Sequence, residues 1–143
     1  MKRYVLSVLV ENHAGVLSRV SGLFSRRGYN IDSLTVGETF NPEQSRMTIV
    51  VRGDEYILEQ IENQLSKLVE VISIKHCDLS ETVVREMALI KVNASAMNRV
   101  GVIETANIFR AHIVDVGIDS VIVEVTGSED KIAIISSLEK ASE

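Results

Sequence analysis

One cysteine, one proline and no tryptophan occur in the 143 residues, and aromatic side chains make up only 4%. With Cys77 alone, neither a disulfide nor a thiolate zinc site can be assembled within the chain. A single proline and eight glycines leave little room for a flexible linker or a low-complexity tract. Long apolar runs are missing too: Tyr4 to Val10, the longest near the start, is far short of the roughly 20 residues a membrane helix needs, so no transmembrane span is expected. Lys2-Arg3 leads into a strand-like run that breaks at Glu11, unlike the apolar stretch and cleavage site of a secretory signal, and a cytoplasmic location is expected. Basic excess is absent as well. A net charge of −5 provides no phosphate-neutralising face, and Met47 to Val51 carries none of the aromatics on which an RNA-binding sheet stacks bases.

What is present is a folding composition, 45% hydrophobic and 24% charged. Valine and isoleucine together supply 35 residues. Such β-branched enrichment favours pleated strands over an all-helical bundle. Tyr4 to Glu11 reads as a strand, and Asn12-His13-Ala14-Gly15 punctuates it. Apolar positions then recur at Val16, Leu17, Val20, Leu23 and Phe24 with helical spacing. Gly28 stops that helix, with Arg26 and Arg27 complementing its dipole. Tyr29 to Glu38 and Arg46 to Arg52 read as a hairpin around Asn41-Pro42. Asp54 is the expected N-cap of a second helix, and Val69 to His76 a fourth strand.

This β-α-β-β-α-β order is the split pattern of the ferredoxin-like sandwich, an α+β fold with both helices on one face of an antiparallel sheet. Residues 1–77 are expected to form that domain. Residues 78–143 repeat its grammar after a polar connector, Asp78 to Val83: a strand over Arg85 to Ala94, a helix near Asn98 to Arg110, strands over His112 to Gly117 and Ser120 to Thr126, then a helix from Gly127-Ser128. The last strand of this second, incomplete ferredoxin-like α+β domain is expected to be missing. Because Val5 and Leu9 make the far face of the first strand apolar as well, a cover for that face and an oligomer are expected.

Catalytic chemistry finds no foothold. His13, His76 and His112 are scattered, the serines have no elbow or triad context, and no metal or catalytic residue is implied. An acylphosphatase-like reading would need an arginine in the first turn, which has none. His13 in that turn reads as a structural or ligand-facing residue rather than a base. Arg19, Arg26 and Arg27 share a helix face that is either solvated or a docking surface for an acidic partner. The informative place is the turn Asn12-His13-Ala14-Gly15-Val16-Leu17. The helix N-terminus offers unpaired N–H groups and partial positive charge to a carboxylate, and glycine permits close approach. From spacing alone, Asn12 is either a ligand amide or the turn residue; Asn30, after Gly28, stands the same way.

Glu11 to Val20, Gly22-Leu23-Phe24, Arg27-Gly28-Tyr29-Asn30-Ile31 and Ser33 to Val36 closely resemble the small regulatory subunits of acetolactate synthase. Ser45 to Ile49, Gln64 to Val69, Phe109-Arg110-Ala111 and Ile113 to Val116 extend the likeness over nearly the whole chain. The resemblance implies an N-terminal ACT domain, the ferredoxin-like module that senses amino acids, followed by a smaller α+β domain. It implies a non-catalytic protein that binds and activates a large catalytic subunit and confers feedback inhibition by valine. Thiamine diphosphate, magnesium and FAD then belong to that partner, and none to this chain. It further implies a homodimer through the ACT domains, with the effector held by Asn12, Ala14, Gly15, Val16 and Leu17 of one subunit and Asn30 and Ile31 of the other. Leu17 or Ile31 would meet the branched side chain; valine is the expected effector, with leucine and isoleucine as alternatives. An ACT sensor acting on a different enzyme is the competing reading.

Overall fold

Alternation along the first strand sets the architecture. In the computed structural model, which describes residues 1–140 and side chains as far as Ser137, β1 (Lys2–Glu11) turns Tyr4, Leu6, Val8 and Val10 to one face, all buried. They meet Met47, Ile49 and Val51 of β3 (Gln44–Gly53), which pairs antiparallel with β1 in the register Leu6 with Ile49. Outside these, β2 (Ile31–Glu38) pairs with β3 and β4 (Val71–Cys77) with β1, giving the order β2-β3-β1-β4. Helix α1 (Val16–Arg27) adds Val16, Val20, Leu23 and Phe24, and α2 (Glu55–Ser66) adds Leu58, Ile61 and Leu65. Burying an aromatic such as Phe24 contributes about 1.5–3 kcal/mol before packing terms. Tyr29 meets its ring edge-on at 6.3 Å.

The helix ends follow the sequence signals. Gly28 caps α1 at φ 71°, in the left-handed region that glycine adopts without a Cβ penalty, and Tyr29 N–H closes back on Phe24 O at 3.0 Å. Asp54 caps α2 through Ile57 N–H donating to Oδ1 at 2.8 Å. Several expected bounds move. Tyr29 and Asn30 precede β2 because Tyr29 is spent closing the helix. Val69 and Glu70 precede β4, where Val71 N–H donates to Leu68 O in a turn. The far face of the sheet is less apolar than Val5 and Leu9 suggest: the register sets Ser7 beside Thr48 and Lys75, and Arg46 donates to Ser7 Oγ at 2.9 Å.

The chain divides into two compact units, Met1–Thr82 and Val83–Glu143. In the second, β5 (Glu86–Asn93), α3 (Arg99–Ile108), β6 (His112–Val116), β7 (Ser120–Gly127) and α4 (Glu129–Lys140) repeat the first unit's order. Among the described residues its sheet has three antiparallel strands ordered β5-β7-β6, the counterpart of β1-β3-β2. Ile90, Val121, Val123 and Val125 form its core with Ala94, Ala106 and Ala111. Helix α3 ends two residues before the expected Arg110, which adopts φ 55° while Ala111 N–H returns to Ala106 O at 2.9 Å. No helix among the described residues is long and apolar enough to cross a membrane.

Candidate functional site

At the end of β1 the chain turns into α1 without a side-chain cap. Gly15 holds the N-cap position at φ 90°, and a Cβ built there would meet nothing within 4 Å. Glycine is required for the backbone conformation, not for close packing, and the space beside it is open. The Val16 N–H reaches His13 O only at 3.4 Å, while the Leu17 and Ser18 N–H groups have no acceptor among the described residues. First-turn donors of this kind, at the positive end of the helix dipole, have the chemistry to receive a carboxylate.

Asn12 is fixed rather than free. Its backbone N–H donates to Glu43 O at 2.8 Å and its Nδ2 to Pro42 O at 2.8 Å, with Glu38 Oε2 at 3.5 Å. Donation to a carbonyl identifies the NH2 end of the amide, so Oδ1 is left as an acceptor. His13 Nε2 lies 2.8 Å from Glu11 Oε2 and Nδ1 lies 3.2 Å from Ala14 O. That hydrogen bond to Glu11, and then the one to Ala14 O, raise the His13 pKa above its ordinary value. With acceptors facing both ring nitrogens, the protonated ring is stabilised relative to a free imidazole.

Of the residues singled out in sequence, Asn12, Ala14, Gly15 and Leu17 come together in this turn, Leu17 being 45% exposed. Val16 does not present its side chain: it is 3% exposed and packs in the core, so the site gains only its backbone. Asn30 and Ile31 lie elsewhere. Ile31 is opposite Val51, which pairs with Tyr4, whereas Asn12 follows Glu11 at the other end of β1. Seven strand positions at about 3.3 Å each separate the two sets by roughly 23 Å. One copy of the first unit therefore cannot close both around one small ligand. Asn30 Nδ2 donates to Asp32 Oδ1 at 2.9 Å.

The turn also has a support invisible in sequence. Arg19 on α1 pairs with Glu70 at 3.1 Å; the Glu70 side chain is 11% exposed, and the Glu70 backbone carbonyl accepts from Glu11 N–H at 2.9 Å. Arg27 donates to Gln64 Oε1 on α2 at 3.0 Å. Of the three arginines read as a solvated or docking face, Arg19 and Arg27 thus have partners within the unit. His76 stacks edge-on against Tyr4 at 5.4 Å, a packing role, and His112 is a strand residue of β6. Among the described residues no cluster of histidine, cysteine and carboxylates could hold a metal ion.

With this geometry in hand, the comparisons with known proteins are specific. The pattern described as an AHAS small subunit-like ACT domain matches residues 6–73, and that of the small subunit of acetolactate synthase matches residues 85–141. The chain is therefore a protein of two ferredoxin-like, ACT-type α+β units with antiparallel sheets. It is 52% identical over 136 residues to a probable acetolactate synthase small subunit of Archaeoglobus fulgidus, covering 95% of this chain and 85% of that relative. Identity to the acetolactate synthase small subunit of Mycobacterium bovis is 52% over 139 residues, covering 96% and 83%. The crystal structure of the small subunit from Thermotoga maritima superposes with a TM-score of 0.90 at 43% identity, over 96% of this chain and 86% of that one. The chain belongs to the family of acetolactate synthase small subunits.

Proposed function

We propose that this chain is the non-catalytic, regulatory subunit of acetolactate synthase: it binds and activates the large, thiamine-diphosphate-dependent catalytic subunit and makes that enzyme responsive to valine. Catalysis, with thiamine diphosphate, magnesium and FAD, resides in the partner, in the cytoplasm. Valine is held between two copies of the first unit. Its carboxylate meets the N–H groups at the start of α1, its ammonium meets Asn12 Oδ1, and its branched side chain lies against Leu17 of one copy or Ile31 of the other.

The observation that carries this reading is the separation of Asn12 to Leu17 from Asn30 and Ile31 along one sheet. A two-fold axis through the outer edge of β2 brings the first turn of each copy toward the β2 start of the other, giving two equivalent sites. β2 suits such an axis: among the described residues it pairs only with β3, and its own Leu34 and Val36 are 37% and 40% exposed. Effector binding across the axis favours one arrangement of the pair, which the catalytic subunit reads as a change in affinity or activity.

A mixed-dimer experiment tests the shared site. Gly15→Asp damages one half-site and Asn30→Asp the other, so each variant alone should lose valine binding. After subunit exchange, half the dimers are mixed, and each of these carries one intact site, so about a quarter of the parent's binding capacity should return in calorimetry. Absence of any recovery in an exchanged mixture would place both half-sites in one copy and refute the arrangement.

A further inference from the structure

Three phenylalanines occur in the chain, and they differ sharply in environment. Phe24 is 1% exposed and Phe109 is half-buried, but Phe40 is fully exposed, at the tip of the hairpin that joins β2 to β3. A lone exposed apolar side chain needs no explanation by itself. What sets Phe40 apart is the stiffness of its mount. Thr39 N–H donates to Gln44 O and Gln44 N–H to Asn41 O, both at 3.0 Å; Thr39 Oγ1 donates to Asn41 O at 2.9 Å; Glu43 N–H donates to Asn41 Oδ1 at 3.1 Å. Asn12 holds the far side through Pro42 O and Glu43 O. A hairpin backbone fixed in this way presents its aromatic ring to a partner with little further loss of backbone freedom, which favours an energetic anchor.

The surroundings specify the partner's chemistry. Glu38 and Glu43 flank the tip, neither with a cationic partner among the described residues, and Glu11 stands beside Glu43 and Ile72 in one depression. Ile72 is itself 47% exposed. Contact between this tip and its own copy would set carboxylates against carboxylates, which disfavours a second copy as the occupant. We infer that the β2–β3 hairpin docks on the catalytic subunit, with Phe40 filling an apolar pocket whose rim carries lysine or arginine. The inference rests on the regulatory-subunit reading above and adds to it the surface that makes the contact.

The test measures binding of the full-length chain to purified catalytic subunit at low and high salt, with size and melting temperature recorded for every variant. Phe40→Ala removes no packed contact and should melt with the parent, yet bind the catalytic subunit about 30-fold more weakly. Phe40→Leu should recover part of the loss. Tyr56→Ala, which removes another exposed aromatic, on α2, should bind like the parent. Glu43→Gln should slow association and flatten its salt dependence. Parent-like affinity of Phe40→Ala overturns the docking assignment, as does a change in the chain's own oligomeric state with unchanged affinity for the catalytic subunit. Failure of the parent itself to bind the catalytic subunit overturns the regulatory reading, and the docking assignment with it.

Discussion

Replacing Gly15 separates two effects that usually travel together, because its φ of 90° and its open surroundings act on different substitutions. Gly15→Ala meets no atom, so its cost is conformational, about 1–2 kcal/mol for forcing a Cβ into left-handed backbone. For a unit of this size that lowers the melting temperature by roughly 4–8 °C per kcal/mol. Gly15→Asp pays less in stability, since aspartate tolerates this backbone better than alanine and its carboxylate caps the first-turn N–H groups of α1. That same carboxylate occupies the position proposed for the valine carboxylate. Two like charges about 4 Å apart repel by about 1 kcal/mol in water and about 4 kcal/mol at an effective dielectric near 20, so valine affinity should fall by a factor between about 5 and 1,000. The orders are then opposed: alanine is the less stable variant and keeps valine binding, aspartate is the more stable and loses it. Differential scanning fluorimetry gives the first order and calorimetric titration the second. Equal valine affinity in the two variants would refute the helix-terminal carboxylate site.

Protonation of His13 offers a second handle. Its pKa is raised in the folded chain, first by the hydrogen bond to Glu11, so the associated stabilisation is fully present below the unfolded value of 6.5 and is lost as pH rises through the folded value. Proton NMR of the ring should give a midpoint above 6.5 that falls in Glu11→Gln; an unchanged midpoint would mean that the Glu11 contact does not set it. In the second unit, Gly101 lies inside α3, and a Cβ there meets nothing within 4 Å. Gly101→Ala should stabilise that unit by about 1 kcal/mol in denaturant titration through helix propensity alone, and a loss of stability would show that α3 packs more tightly at this point.

Much of the fold was written locally. Strand alternation in Tyr4 to Val10, the helical recurrence of Val16, Val20, Leu23 and Phe24, the stop at Gly28 and the cap at Asp54 each depend on a few neighbouring residues, and each stands in the structure as the pattern implies. Errors fell at element ends, where tertiary demands decide: Tyr29 is drawn back to close a helix, Val69 and Glu70 are taken into a turn, and Arg110 adopts a left-handed conformation that its residue type does not announce. The similarity of the whole chain to acetolactate synthase small subunits was legible in the turn Asn12 to Leu17 and the run after Gly28, because those segments combine punctuating residues with an apolar pattern over a long stretch.

What sequence could not supply was distance. Asn12 and Asn30 stand on either side of one helix and look like neighbours in the chain, yet β1 and β2 both pair antiparallel with β3 and so run parallel to each other, which sends the end of one and the start of the other to opposite ends of the sheet. Val16 is one of the candidate effector residues in the sequence and turns its side chain into the core instead. Arg19 finds its acid in Glu70, far along the chain. Local patterns determined which elements form and where a helix N-terminus stays uncapped, since those depend on dihedral preference and periodicity. Only the tertiary structure decided which side chains face water, which charges are paired, and that the first turn and the start of β2 lie at opposite ends of one sheet, because burial and long-range pairing are properties of the packed sheet and not of any segment in it.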